Sequence, residues 1–136
     1  MMSDHIQSAV NDLQERGVKQ IVLVPTGMTA HNSLTRQWEY AFGMRDESSY
    51  LDIPRINTKA KVLMTEHLND HPLISEILID YTKELSKDPA NEVVIIVAHG
   101  PEDVEDNGPD LALLQVHADR LKAAGKYSDV KAINLQ

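Results

Sequence analysis

Cysteine is absent from the 136 residues, so disulfides and thiolate metal sites are excluded. That lack fits a reducing compartment, and it leaves His, carboxylate and carbonyl groups as the available metal ligands. Basic residues are scarce beside acidic ones: Lys plus Arg is 13, Asp plus Glu is 21, and the formal charge is −8. The balance argues against nucleic acid and against an anionic membrane surface as partners. No apolar run approaches the ~18 residues of a membrane span. The opening stretch "MMSDHIQSAVNDLQERG" has neither the basic n-region nor the apolar h-region of a signal peptide. Neither a Walker loop nor a G-x-G-x-x-G occurs. These exclusions leave a soluble cytoplasmic protein as the expectation, with a length that suits one domain with its own core.

What is present is a regular alternation of helical and strand patterns. "SDHIQSAVNDLQERG" has Ser3 or Asp4 to cap it, Ile6, Val10 and Leu13 on one helical face, and Gly17 to end it. "KQIVLVP" follows as a strand, then "NSLTRQWEYAFG" as a helix between Ser33 and Gly43. Residues 44–60 lack periodicity and read as a surface loop. "KVLMTE" is a weaker strand. "HPLISEILIDYTKELSKD" is a helix with Pro72 in its first turn and an apolar face of Leu73, Ile74, Ile77, Leu78, Tyr81 and Leu85. "EVVIIVAH" is the strongest strand, "GPDLALLQVHADRLKAAG" a helix stopped by Gly125, and "SDVKAINLQ" a closing strand.

Unbroken runs such as Val93–Ala98 suit strands covered on both sides. The expected architecture is therefore α/β: three layers, a predominantly parallel four-stranded sheet with helices on both faces. In such folds ligands bind beyond the carboxyl ends of the strands. Four of the six histidines, His31, His67, His71 and His99, fall at those ends. His5 and His117 lie inside helices, where they face solvent or pack at an edge.

Each strand-end histidine also has a structural explanation. His67 and His71 flank a helix start and can serve as caps. His99 can be a packed neutral imidazole, or with Gly100 part of a phosphate-binding turn. The acids behind it, Glu102, Asp103, Glu105 and Asp106, can be a solvated surface that suits the following helix N-terminus. They would repel a phosphate, however, and hard oxygen donors beside a histidine favour a divalent transition metal.

"VVIIVAHGPEDVEDN" resembles the opening strand and loop of the class II chelatases, the sirohydrochlorin cobaltochelatase and ferrochelatase group. That family's strand ends in a His-Gly pair, here His99 and Gly100, often with an asparagine eight residues beyond the histidine, here Asn107. "IVLVPTGMTAH" is similar to a later strand of the family that leads to its second metal-site histidine, here His31. "HPLISEIL" resembles the helix after the family's fourth strand. The likeness runs from about residue 3 to 136. Where the family commonly has an acid three or four positions after its second histidine, this chain has Leu34 and Thr35. Glu66, Glu102 and Asp103 are the carboxylates open for that part.

The order of the motifs is also rotated, since the His-Gly strand arrives only near residue 92. Either residues 1–136 form one chelatase-like domain by circular permutation, or the chain spans parts of two halves, the second beginning near 92. The start on a helix and the end on a strand favour the latter. In a single domain of strand order 2-1-3-4, the strands before His99 and His31 would lie about 4.8 Å apart and could share one metal. Two halves could instead be completed by swapping or by a homodimer.

The resemblance implies insertion of a divalent metal, Co²⁺ or Fe²⁺, into a tetrapyrrole such as sirohydrochlorin. His31 and His99 would be metal ligands and proton acceptors, and Glu102 a further metal ligand. Arg36 and Arg45, with Asn107, would bind the substrate; Arg55 and Lys59 add to the basic side chains beyond His31 that its carboxylates require. An imidazole with pKa near ~6.5 in water can both ligate and accept a proton at neutral pH. The competing expectation is a non-catalytic chelatase-like domain that binds a metal or a partner. A flavodoxin-like regulatory domain without metal is the third.

Overall fold

The computed structural model describes residues 2–27, 29–49 and 51–135. It contains α1 (Met2–Glu15), β1 (Gln20–Leu23), α2 (Ser33–Ala41), β2 (Lys61–Met64), α3 (Pro72–Leu85), β3 (Val93–His99), α4 (Val104–Gly125) and β4 (Asp129–Leu135), with a short 3-10 turn at Pro89–Asn91. The chain is thus a mixed α/β chain in the expected element order. Gln136, the expected last residue of the closing strand, lies outside the described residues.

Local chemistry explains most of these boundaries. Gly17 adopts φ +80° after α1, where its N–H bonds Gln14 O at 2.9 Å and the Val18 N–H bonds Leu13 O at 3.0 Å. Gly43 does the same after α2 with φ +74°, its N–H on Tyr40 O and that of Met44 on Glu39 O. Both are Schellman closures, which need a residue that tolerates the left-handed region. Asn32 caps α2 by accepting the Leu34 N–H, and His71 caps α3 through Nδ1 on the Leu73 N–H at 3.3 Å, with Pro72 next.

Gly125 differs from its expected role. The left-handed residue that ends α4 is Lys126 at φ 57°. Gly125 is instead a space requirement, since a Cβ there would overlap the buried ring of Tyr127.

The chain divides into two compact units, Met1–His67 and Leu68–Gln136. In the first, β1 and β2 pair in parallel with Ile21 opposite Val62. Val10, Ile21, Ala41, Ile56 and Ala60 form its buried core. The long loop before β2 has no regular structure, yet α1 and α2 hold it. Gln7 exchanges two hydrogen bonds with the Asn57 backbone, Gln14 accepts the Lys59 N–H at 2.7 Å, and Gln37 accepts the Leu51 N–H at 2.9 Å. Such bonds satisfy a backbone that has no ladder to join.

In the second unit, β3 and β4 pair in parallel over seven residues, Val93 opposite Asp129 through His99 opposite Leu135. Ala118, Leu121, Tyr127 and Val130 make its core, with Ile79, Val94, Ile96 and Ala132 packed against them. Glu92 closes the turn after α3, its carboxylate accepting from Ser86 Oγ and from the N–H groups of Lys87 and Asp88, both at 2.9 Å.

Those bonds, the Ser86 hydroxyl first and the two N–H groups next, hold the Glu92 carboxyl below its ordinary value. A depressed value means stability that is present above the ordinary carboxylate range and lost as pH falls through the lowered one. Glu92→Gln is therefore expected to flatten the acid limb of a pH series of urea midpoints. Coincident acid limbs for the two proteins would refute this.

One expectation needs correction. The strands form two separate two-stranded pairs among the described residues, β1 with β2 and β3 with β4, and not one four-stranded sheet. Nor is β3 covered on both sides: Val93, Ile95 and Val97 are each more than half exposed, while Val94 and Ile96 pack inward. An unbroken apolar run is compatible with one packed face or two, and here only alternate residues meet a helix. The same applies to α3, whose packed side is Ser75, Ile79 and their neighbours, while Leu73, Ile77, Tyr81 and Leu85 stand exposed.

Candidate functional site

His99 is the last residue of β3, and its side chain belongs to the exposed face of the pair. Its Nδ1 lies 2.9 Å from the Gly100 carbonyl oxygen. A carbonyl only accepts, so Nδ1 carries the proton and the lone pair of a neutral ring sits on Nε2. That arrangement is the one in which a backbone carbonyl orients an imidazole as a metal ligand or proton acceptor.

Gly100 is buried, and its N–H donates to Leu135 O at 2.9 Å, extending the ladder past His99. A Cβ at this position would stand 2.9 Å from Asn134 Cβ and 3.2 Å from Leu135 O. The glycine therefore permits the close approach of β4 that fixes the carbonyl orienting His99.

The acids that follow are arranged otherwise than a loop at a site mouth. Helix α4 begins at Val104, so Glu105 and Asp106 lie in its first turn, where the positive end of the helix favours them. Asp103 takes the N-cap position without a side-chain cap bond, and Glu102 is exposed just before it.

Asn107 is engaged from the covered side of the strands. The Asn134 amide donates to Asn107 Oδ1 at 2.9 Å and to Asp110 Oδ2 at 3.0 Å, and Asp110 is 3% exposed. Asn134 pairs in register with Ala98, one residue from His99, so its side chain points to the opposite face. Asn107 thus ties α4 to β4 on one side of the pair while His99 occupies the other.

In the first unit, His31 is half-buried and directly precedes Asn32, the cap of α2. Arg36 lies half-buried on α2. Arg45 lines a pocket of about 540 Å³ beyond the end of β2, with Glu39, Thr65, Glu66 and His67. Glu39 sits between two nitrogen-bearing side chains, 3.5 Å from His67 Nε2 and 3.8 Å from Arg45 Nη1.

Met64, the last residue of β2, also lines an apolar pocket of about 230 Å³ with Leu23, Pro25, Trp38 and Phe42. Glu39 was not singled out in the sequence, although it follows Trp38 on a helix that packs beside the strand ends. Of the other basic candidates, Arg55 is engaged: its guanidinium stacks 4.6 Å from the Tyr40 ring and donates to Asp46 O. Lys59 lines a separate depression near Gln14 and Asn57.

His117 is neither at an edge nor facing solvent. It is fully buried, with Nδ1 2.8 Å from Ser75 Oγ and Nε2 2.9 Å from Asn69 O. The carbonyl requires Nε2–H, so Nδ1 accepts from the Ser75 hydroxyl.

His31 and His99 belong to different units. Within the described residues no group of three or more His, Asp or Glu side chains is gathered in a way that could hold a metal. No helix among them is long and apolar enough to cross a membrane. Comparison with family models, with curated proteins and with solved structures finds no match to this chain.

Proposed function

We propose that this chain is a chelatase-like protein that inserts a divalent metal, Co²⁺ or Fe²⁺, into a tetrapyrrole such as sirohydrochlorin. The observation that carries the reading is His99: a strand-end imidazole whose Nδ1–H is tied to a backbone carbonyl and whose Nε2 lone pair is left for a cation or a proton. By the family resemblance His31, in the first unit, and Glu102 are the further candidate ligands. Metal entry into a tetrapyrrole displaces two pyrrole N–H protons, and two neutral imidazoles with nearby carboxylates can accept them.

The first unit supports the substrate half of this reading. An apolar pocket next to one containing Arg45 suits a flat ring system with carboxylates at its rim. Arg36 is the second proposed carboxylate partner. Asn107, fastened to Asn134, fits the role of holding α4 in place better than that of touching substrate.

The test is an anaerobic Co²⁺ titration of wild type, His31→Ala and His99→Ala. One site per chain is expected, weakened in either variant by more than the about 10–100-fold that loss of an orienting partner costs. Affinity unchanged in His99→Ala sinks the proposal. Tight binding without absorbance changes on adding sirohydrochlorin would instead select the non-catalytic metal-binding domain.

A further inference from the structure

A polar cluster lies on the α4 side of β3 and β4, next to the strand end that carries His99. Asn107 and Asp110 stand three residues apart on α4, which puts them on one helix face. The side chain of Asn134, on β4, reaches both. Its amide nitrogen donates to Asn107 Oδ1 at 2.9 Å and to Asp110 Oδ2 at 3.0 Å, which uses both of its hydrogens.

The three members are not equivalent. Asn107 and Asn134 can each turn either an oxygen or a nitrogen toward a neighbour. The side chain of Asp110 offers only oxygens, so it is the member that requires Asn134 to present Nδ2. The second hydrogen of Nδ2 then requires an acceptor, and Asn107 presents Oδ1 to it. One consequence is that Asn134 Oδ1 is left buried without a hydrogen-bond partner among the described residues. A buried acceptor without a donor is unfavourable, so a stronger demand fixes the amide, and Asp110 supplies it.

Asn134 is also the residue against which Gly100 packs. A Cβ on Gly100 would stand 2.9 Å from Asn134 Cβ and 3.3 Å from its Cγ. The Gly100 N–H bonds the carbonyl of Leu135, the residue after Asn134, and the Gly100 carbonyl lies 2.9 Å from His99 Nδ1. A chain of contacts therefore runs from Asp110 through Asn134 and Gly100 to His99, all of it within the second unit.

We propose that Asp110 is a positioning residue for His99. By fixing the Asn134 amide it holds the end of β4 against Gly100. That keeps the Gly100 carbonyl on Nδ1 and selects the tautomer whose lone pair is on Nε2. The tautomer is a property of the chain itself; its consequence for metal rests on the function proposed above.

The experiment is long-range proton–nitrogen correlation NMR of the imidazoles in the metal-free full chain, about two pH units above the ~6.5 of an imidazole in water. The His99 signals are identified by their loss in His99→Gln, and they report which nitrogen carries the proton. Wild type is expected to hold mainly the Nδ1–H form. In Asp110→Ala the ratio of Nδ1–H to Nε2–H is expected to fall about threefold to tenfold, the weight of one ordinary hydrogen bond. Asn134→Ala removes the same bonds from the strand side and is expected to do likewise, which gives a second reading should Asp110→Ala not fold. Ser75→Ala, which loosens α3 from α4 instead, is the control: stability falls and the His99 ratio stays at its wild-type value.

A wild type in the Nε2–H form overturns the proposal. So does the wild-type ratio in folded Asp110→Ala or Asn134→Ala, since the cluster then serves stability alone. Co²⁺ titration of the same proteins keeps this result apart from the proposed function. A chain that binds no Co²⁺ while its tautomer ratio shifts as expected refutes the chelatase reading and leaves the role of Asp110 standing. Co²⁺ bound at His99 with an unmoved ratio refutes the role of Asp110 alone.

Discussion

Replacing His117 by leucine is expected to destabilise the second unit by about 2–4 kcal/mol. The imidazole is fully buried and uses both nitrogens, Nε2–H on the Asn69 carbonyl and Nδ1 on the Ser75 hydroxyl. Leucine fills much of the volume but takes the donor from that carbonyl and the acceptor from that hydroxyl in a largely buried setting, which costs stability. One turn on, Arg120 donates to the Asp70 carbonyl and reaches Ser75 Oγ at 3.4 Å, so α4 grips residues 69–75 at two points.

Ser75→Ala should cost less by itself, and the double variant should show a coupling of about 1 kcal/mol, because the hydroxyl and the imidazole serve one another. Native-state hydrogen exchange of α4 and β3 amides measures this within the second unit. Additive effects of the two substitutions would show that the bond between them contributes nothing.

Gly100→Ala is expected to act on stability and, under the proposed role of His99, on metal affinity as well. The added methyl meets Asn134 Cβ at 2.9 Å and the Leu135 carbonyl oxygen at 3.2 Å, and the second of these is backbone. Overpacking of this kind costs about 1–3 kcal/mol. Relief requires β4 to move away from the end of β3. That displaces the Gly100 carbonyl that holds His99 Nδ1.

Under the proposed role of His99, Co²⁺ affinity should therefore fall although no proposed ligand is removed. The outcome that separates the two effects is Asn134→Ala in the same background. Trimming Asn134 to its Cβ removes only the softer contact, at 3.3 Å to Cγ, so most of the loss should persist. Full recovery would show that Gly100 answers to Asn134 alone.

The element order was legible because it depends on neighbours along the chain. Gly17 and Gly43 each close a helix through bonds to residues three and five back, and Pro72 and His71 open one. The unbroken apolar run before His99 announced a strand for the same reason. His99 itself was legible as a strand-end histidine, since strand ends are where an α/β chain exposes its functional groups.

Other features were not legible because they are set by partners distant in sequence. Asn107 is governed by Asn134, 27 residues away, and His117 by Ser75, 42 away. Glu39 meets His67 across the end of β2, and nothing in "RQWEYA" marks it for that contact. The acids after His99 read as loop because Pro101 and Gly108–Pro109 suggest breaks. The helix nevertheless starts at Val104 and carries Pro109 inside it, past the first turn, where proline has no N–H to give the carbonyl four residues back.

By itself, then, the sequence determined the order of the elements, the acidic charge and the absence of thiol chemistry, all of which depend on residue type and near neighbours. Only the tertiary structure decided that the strands form two separate parallel pairs. It also decided which side of β3 and of α3 is buried, that His117 is a core residue and that Gly100 is a packing requirement. The physical reason is that an apolar side chain on a strand or helix records a preference for burial without naming the surface that buries it. A polar side chain likewise records its capacity for a hydrogen bond without naming the partner.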